Sequence, residues 1–168
     1  MGLKKLSFSV MCADIRRWST KRLIGFTLIE LILALAILGI LASVAIPLYA
    51  GYIEQARNEA AMADIRGISS VLTTFFADNT FYPDSLAQVG YATYLDPWGN
   101  PYQYLNIQTA KNKGHMRKDR FLVPINSDFD LYSMGKDGKS VPPLTAKDSR
   151  DDIIRANDGA YIGPASGF

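Results

Sequence analysis

Cysteine is nearly missing: the 168 residues hold one, Cys12, inside a basic N-terminal stretch. The rest of the chain cannot close a disulfide, so any domain it forms must be held by packing, backbone pairing or a metal. Histidine also occurs once, as His115 in the basic run Lys111 to Arg120, with no cysteine, second histidine or acidic cluster beside it. It is assigned no metal or catalytic role. Neither a Gly-rich phosphate loop nor a plausible nucleophile and base pair is present, and without those parts an enzyme is not expected. Positive charge is scarce outside the first residues. Lys4, Lys5, Arg16, Arg17, Lys21 and Arg22 face a single acid, Asp14, within residues 1–25, which leaves 12 basic against 15 acidic side chains in residues 26–168. An acidic body offers no basic face to a nucleic acid, and no nucleic-acid partner is expected.

Charge disappears altogether between Leu23 and Ile53, with Glu30 as the exception. Phe26 to Ile46 is 21 residues, and as a helix it would span roughly 31 Å, close to the hydrocarbon thickness of a lipid bilayer. The basic stretch on its N-terminal side is retained in the cytoplasm by the positive-inside rule, which sends everything beyond about residue 47 to the other face. A secretory signal cut between Ala45 and Ile46 is the rival reading. The length of the apolar run and the carboxylate within it argue against that rival.

An acid inside a membrane span calls for a partner. A cut between Gly25 and Phe26 exposes a new α-amino group at the end of the apolar helix. Within one chain the helix rise holds that amine roughly 6 Å from Glu30, whereas a neighbouring chain shifted along the axis could bring its own amine to this carboxylate. Such a pair is favourable if both charges are desolvated and neither has another partner, and it would set the register of an assembly. The run Gly25-Phe26-Thr27-Leu28-Ile29-Glu30, followed by Leu31-Ile32-Leu33-Ala34, resembles the class III signal of type IV pilins and of type II secretion pseudopilins. The resemblance implies that prepilin peptidase cuts after Gly25 and methylates Phe26, and that residues 1–25 are a cytoplasmic leader, starting at Met1 or Met11. It further implies that Glu30 recruits the N-terminus of an adjacent subunit.

Pro47 cannot donate to the Ser43 carbonyl and is expected to kink or loosen the helix, with Gly39 and Gly51 as further weak points. In the pilin family such a section unwinds when subunits pack. Beyond it an amphipathic period begins, with Ile53, Ala56, Ala60, Ala63, Ile68, Val71 or Leu72, and Phe75 as the apolar stripe, and Glu54, Asp64 and Arg66 among the residues opposite. One helix from Phe26 to about Ala77 is therefore expected, with a transmembrane and assembly half (26–47) and an amphipathic half (48–78). Residues 79–168 are rich in turn formers and carry three strand candidates, Tyr102 to Ile107, Phe121 to Ile125 and Phe129 to Met134, the second demoted by Pro124 to an edge or extended loop. The fold class is α+β, type IV pilin-like: a long N-terminal helix packed on a small antiparallel sheet with a loop-rich C-terminal region.

Asp96-Pro97-Trp98-Gly99-Asn100-Pro101-Tyr102 reads as a structural turn leading into a strand. Together with Phe129 to Gly138 (FDLYSMGKDG) it resembles the major pseudopilin of type II secretion. That family places a calcium loop here, which implies side-chain ligands Asp137, Asp151 and Asp152 and carbonyl ligands Leu131 and Ser133, with Asp158 as an alternative. From the residues alone, hard oxygens could converge from two loop ends, although no EF-hand spacing is present. The resemblance implies a bacterial inner-membrane protein with one span and a periplasmic C-terminal domain. It would form a homopolymer that also meets minor pseudopilins, the inner-membrane assembly platform, prepilin peptidase and the lipid bilayer. A type IV pilin of a surface fibre is the alternative; those pilins usually close a C-terminal loop with a disulfide. The basic run 111–120 is expected to be a solvated loop, with an electrostatic contact to another subunit as the sharper alternative.

Overall fold

The computed structural model describes residues 25–168, so the leader before Gly25, Cys12 and the alternative start Met11 lie outside the described residues. One helix, α1, runs Leu28–Asn79 and continues through Pro47. Contacts divide the chain into two units, one ending at Ser43 and the other comprising Val44–Phe168. In the first, the apolar side chains from Phe26 to Leu41 are all exposed. At its other end α1 stops where Thr80 turns left-handed, at φ 66°, and returns its amide to the Phe76 carbonyl at 2.7 Å. That is a way of satisfying the last carbonyls of a helix.

The second unit holds four short antiparallel strands, β1 (Gln103–Asn106), β2 (Phe129–Ser133), β3 (Ile153–Ala156) and β4 (Tyr161–Pro164), in the order β1-β2-β3-β4. Their registers pair Tyr104 with Leu131, Ser133 with Ile153, and Arg155 with Ile162. Alternation along the strands divides the core. Phe129, Leu131 and Ile153 join Ala61, Ile65, Ile68 and Leu72 of α1, together with Tyr82, Leu86 and Tyr102. Ile154 and Ala156 point the other way and pack with Ile125, Leu144 and Ala165. Both faces of the sheet are therefore covered, one by α1 and the other by loops.

The α1 stripe differs from the expected one. Ile68 and Leu72 are buried as expected, but Ile53, Ala56, Ala60 and Ala63 are exposed, and Ala61 and Ile65 are packed instead. Glu54 and Asp64 lie on the packed side. Glu54 accepts the Trp98 indole N–H at 3.2 Å, and Asp64 accepts the hydroxyls of Tyr94 and Tyr102 at 2.9 Å each. The aromatic rings bury apolar bodies and need acceptors for their polar tips, so carboxylates on the helix edge are drawn toward the sheet rather than away from it.

Two strand expectations hold, at β1 and β2, and one is corrected. Residues 121–125 form no strand: Asp119 and Leu122 exchange both backbone hydrogen bonds, at 2.7 and 3.1 Å, around a tight turn with Arg120 at φ 44° and Phe121 fully exposed at its tip. Strands β3 and β4 were not among the sequence candidates. Ile153–Ala156 carries an arginine and Tyr161–Pro164 a glycine and a proline, which mutes the alternation a strand normally shows.

Candidate processing and assembly segment, and the C-terminal loop

Gly25, Phe26 and Thr27 precede the first turn of α1, outside any regular element, and Phe26 is 89% exposed. Among the described residues a methyl group added at Gly25 would meet nothing within 4 Å. Thr27 and Glu30 form a reciprocal cap. The Glu30 amide donates to the Thr27 hydroxyl oxygen at 3.3 Å, while Glu30 Oε2 accepts both the Thr27 amide and the Thr27 hydroxyl at 2.8 Å. Two orphan amides of the helix start are satisfied by this arrangement. The premise that Glu30 has no partner in its own chain is therefore corrected: Oε2 is engaged, and Oε1 accepts nothing from the described residues. The spacing Thr-x-x-Glu ahead of an apolar run is itself a capping signature that the sequence displays.

In the second unit the turn at Asp96 is built by its own side chain. Asp96 Oδ1 accepts the amides of Trp98 and Asn100 at 3.0 and 2.8 Å, and Gly99 takes φ 93°, a conformation that favours glycine. The turn is fastened to the end of β2, because Ser133 donates its hydroxyl to Asp96 Oδ2 and Asn100 donates to the Gly135 carbonyl at 2.9 Å. Trp98 is half-buried and Tyr102 buried, in line with a structural turn. Burial and the Asp64 carboxylate raise the Tyr102 hydroxyl well above its ordinary value.

The residues nominated for calcium are placed as follows. Leu131 and Ser133 lie within β2, paired with Tyr104 and Ile153 respectively. Asp137 and Asp151 are neighbours across the loop: Asp151 Oδ2 accepts the Asp137 amide at 3.1 Å, and Asp137 Oδ1 accepts the Lys139 amide at 2.8 Å. Gly135, at φ 63°, lies against Asp151 so closely that a Cβ there would collide with the Asp151 carbonyl. Asp152 is fully buried; its Oδ2 accepts from the Arg117 guanidinium and from the Ser140 hydroxyl at 2.6 Å, while its Oδ1 has no partner. Burial pushes the Asp152 carboxyl up to about 6, against the opposing pull of Ser140 and Arg117. Asp158, the alternative ligand, instead caps Ser127, accepting its amide at 2.6 Å and its hydroxyl at 2.8 Å.

Calcium needs six to eight oxygens. Here one buried carboxylate already holds a guanidinium, two others are turned to backbone amides, and among the described residues no three Asp, Glu, His or Cys side chains gather as a metal would require. As arranged, these residues do not fit a calcium shell. Sequence reasoning missed Arg117, whose basic neighbourhood reads as solvated.

A family model for the prokaryotic N-terminal methylation motif matches residues 23–46. The type II secretion system core protein G of Pseudomonas aeruginosa is 36% identical over 136 residues, covering 68% of this chain and 84% of that protein. Its counterpart in Aeromonas hydrophila is 33% identical over 141 residues, covering 71% and 87%. The fimbrial protein of Neisseria meningitidis is 34% identical over 143 residues, covering 84% of both chains. No solved structure matches.

Proposed function

The chain belongs to the type IV pilin superfamily, among the core protein G pseudopilins of type II secretion, and on that premise we propose that it polymerises through its N-terminal helix into a periplasmic pseudopilus. Prepilin peptidase cuts between Gly25 and Phe26 and methylates the Phe26 amine. Residues 26–47 then hold the subunit in the bacterial inner membrane by a single span, with the C-terminal domain in the periplasm, until the assembly platform extracts it. Minor pseudopilins join the same filament.

The observation that carries this reading is the pairing of an exposed Gly25–Phe26 peptide, outside any regular element, with a carboxylate one helical turn away whose Oε1 accepts nothing from the described residues. Among the described residues nothing packs against Gly25, so the position is open to an approaching peptidase. The amine released by the cut is a cation in an apolar setting, and Glu30 Oε1 of a neighbouring chain is its natural counter-charge. Among the described residues α1 is the helix long and apolar enough to cross a membrane, and its bare apolar side chains from Leu28 to Leu41 need lipid before assembly and neighbouring helices after it.

Mass spectrometry of the N-terminal peptide from membranes tests the processing. The expected peptide starts at N-methylated Phe26; one starting at Ile46 would contradict the proposal. The similarity to a fimbrial protein supports a second reading, a subunit of a surface fibre. Deleting the gene separates the two: retention of exoproteins in the periplasm belongs to the pseudopilus, and loss of surface fibres with secretion intact to the pilus.

A further inference from the structure

Arg117 belongs to the basic run 111–120, yet its side chain is 2% exposed while Lys111, Lys113 and Arg120 around it are exposed. Its backbone amide donates to Asp130 at 2.7 Å. One terminal nitrogen donates to the Ser140 hydroxyl at 2.6 Å and the Val141 carbonyl at 2.7 Å, and the other to Asp152. The guanidinium carbon lies 4.2 Å from the centre of the Tyr132 ring, within cation–π range. The main chain reinforces the clamp, since the Lys118 amide donates to Pro142 and the Leu144 amide to the Lys118 carbonyl, at 3.1 and 2.9 Å.

These are contacts of the kind a structural cation makes: a hydroxyl and a carbonyl from the adjacent residues Ser140 and Val141, and a carboxylate from Asp152 further along the loop. We infer that this chain carries its loop cation covalently, the Arg117 guanidinium joining Asp152 to the Ser140–Val141 segment, so that the C-terminal loop folds without a bound calcium ion. Arginine suits the position because its planar fork serves several acceptors at once, which a lysine ammonium on the same stem would not do with the same geometry. A divalent ion at Asp152 would have to sit against that guanidinium, like charge to like charge. The basic run is then an arm with Met116 and Arg117 turned inward rather than a solvated loop.

Thermal melting of the full chain in detergent, followed by circular dichroism in excess EDTA and again in excess calcium chloride, tests the inference. The wild-type melting temperature is expected to be the same in both, whereas Arg117→Gln, leaving a buried carboxylate without its counter-charge, is expected to melt roughly 10 °C lower. Arg117→Lys should fall between them and stay indifferent to calcium. A wild-type chain that loses stability in EDTA and regains it with calcium would overturn the inference, as would an Arg117→Gln chain that melts with the wild type. Should Arg117→Gln fail to fold, the wild-type and Arg117→Lys measurements still decide.

Discussion

At the scale of single residues, carboxylates in this chain are defined by the donors that reach them. Asp158 sits in the left-handed region at φ 55°. Burial raises its carboxyl, but the bonds from Ser127 outweigh burial and hold it below the ordinary carboxylate value. A depressed folded value means that the charged form stabilises the fold above the unfolded value of about 3.9, and that this contribution is lost as pH falls through the folded one. Asp158→Asn tolerates the same backbone region and should lower stability by about 0.5 kcal/mol at pH 7, a figure reduced for exposure. Urea denaturation at several pH values should show the difference between the two proteins shrinking in acid. A penalty that stayed constant down to pH 3 would show that charge is not the cause. Glu30 was legible as an anomaly, because a lone acid in an apolar run stands out in any reading. Arg117 was not, because its burial depends on Asp152, 35 residues away in sequence, and no local pattern marks an inward arginine within a basic run.

At the scale of elements, the long helix was readable to within two residues at each end, since an uninterrupted apolar run and then a helical period leave few alternatives. Its face was harder. Ile53, Ala56, Ala60 and Ala63 repeat at helical spacing yet are exposed, while the packed stripe is Ala61, Ile65, Ile68 and Leu72. Small alanines give little hydrophobic weight to either face, and the tyrosine and tryptophan tips that draw in Asp64 and Glu54 come from a distant turn. The consequence is measurable. Ile65→Ala removes a fully buried side chain and should cost about 2–4 kcal/mol, whereas Ala60→Ser on the exposed face should stay within about 0.5 kcal/mol. Equal melting temperatures for the two variants would show that the stripe has been assigned to the wrong residues. The short strands β3 and β4 escaped notice for a related reason: four residues containing Arg, or Gly and Pro, give pattern reasoning almost nothing to count, and β3 finds its partners in β2 and β4, far from any local signal.

At the scale of the whole molecule, the chain presents apolar surface that a lone water-soluble protein would not leave bare. From Phe26 to Tyr52 the large hydrophobic side chains are exposed, and the proposed function covers them first with a bilayer and then with a bundle of identical helices. The reciprocal cap with Thr27 gives Glu30 a fixed orientation before any neighbour arrives, so the carboxylate is held in place instead of searching among rotamers. On the proposed reading, assembly needs three things in sequence: the cut that creates the amine, the axial shift that brings a second chain alongside, and the acid that receives it. Removing the acid leaves the cutting site and the membrane span intact, which isolates the claim. The direct measurement is electron microscopy of filaments from cells producing Glu30→Leu, with processing at Phe26 checked on the same material. The account predicts processed subunits in the membrane and no filaments; filaments as abundant as those of the unaltered chain would contradict it.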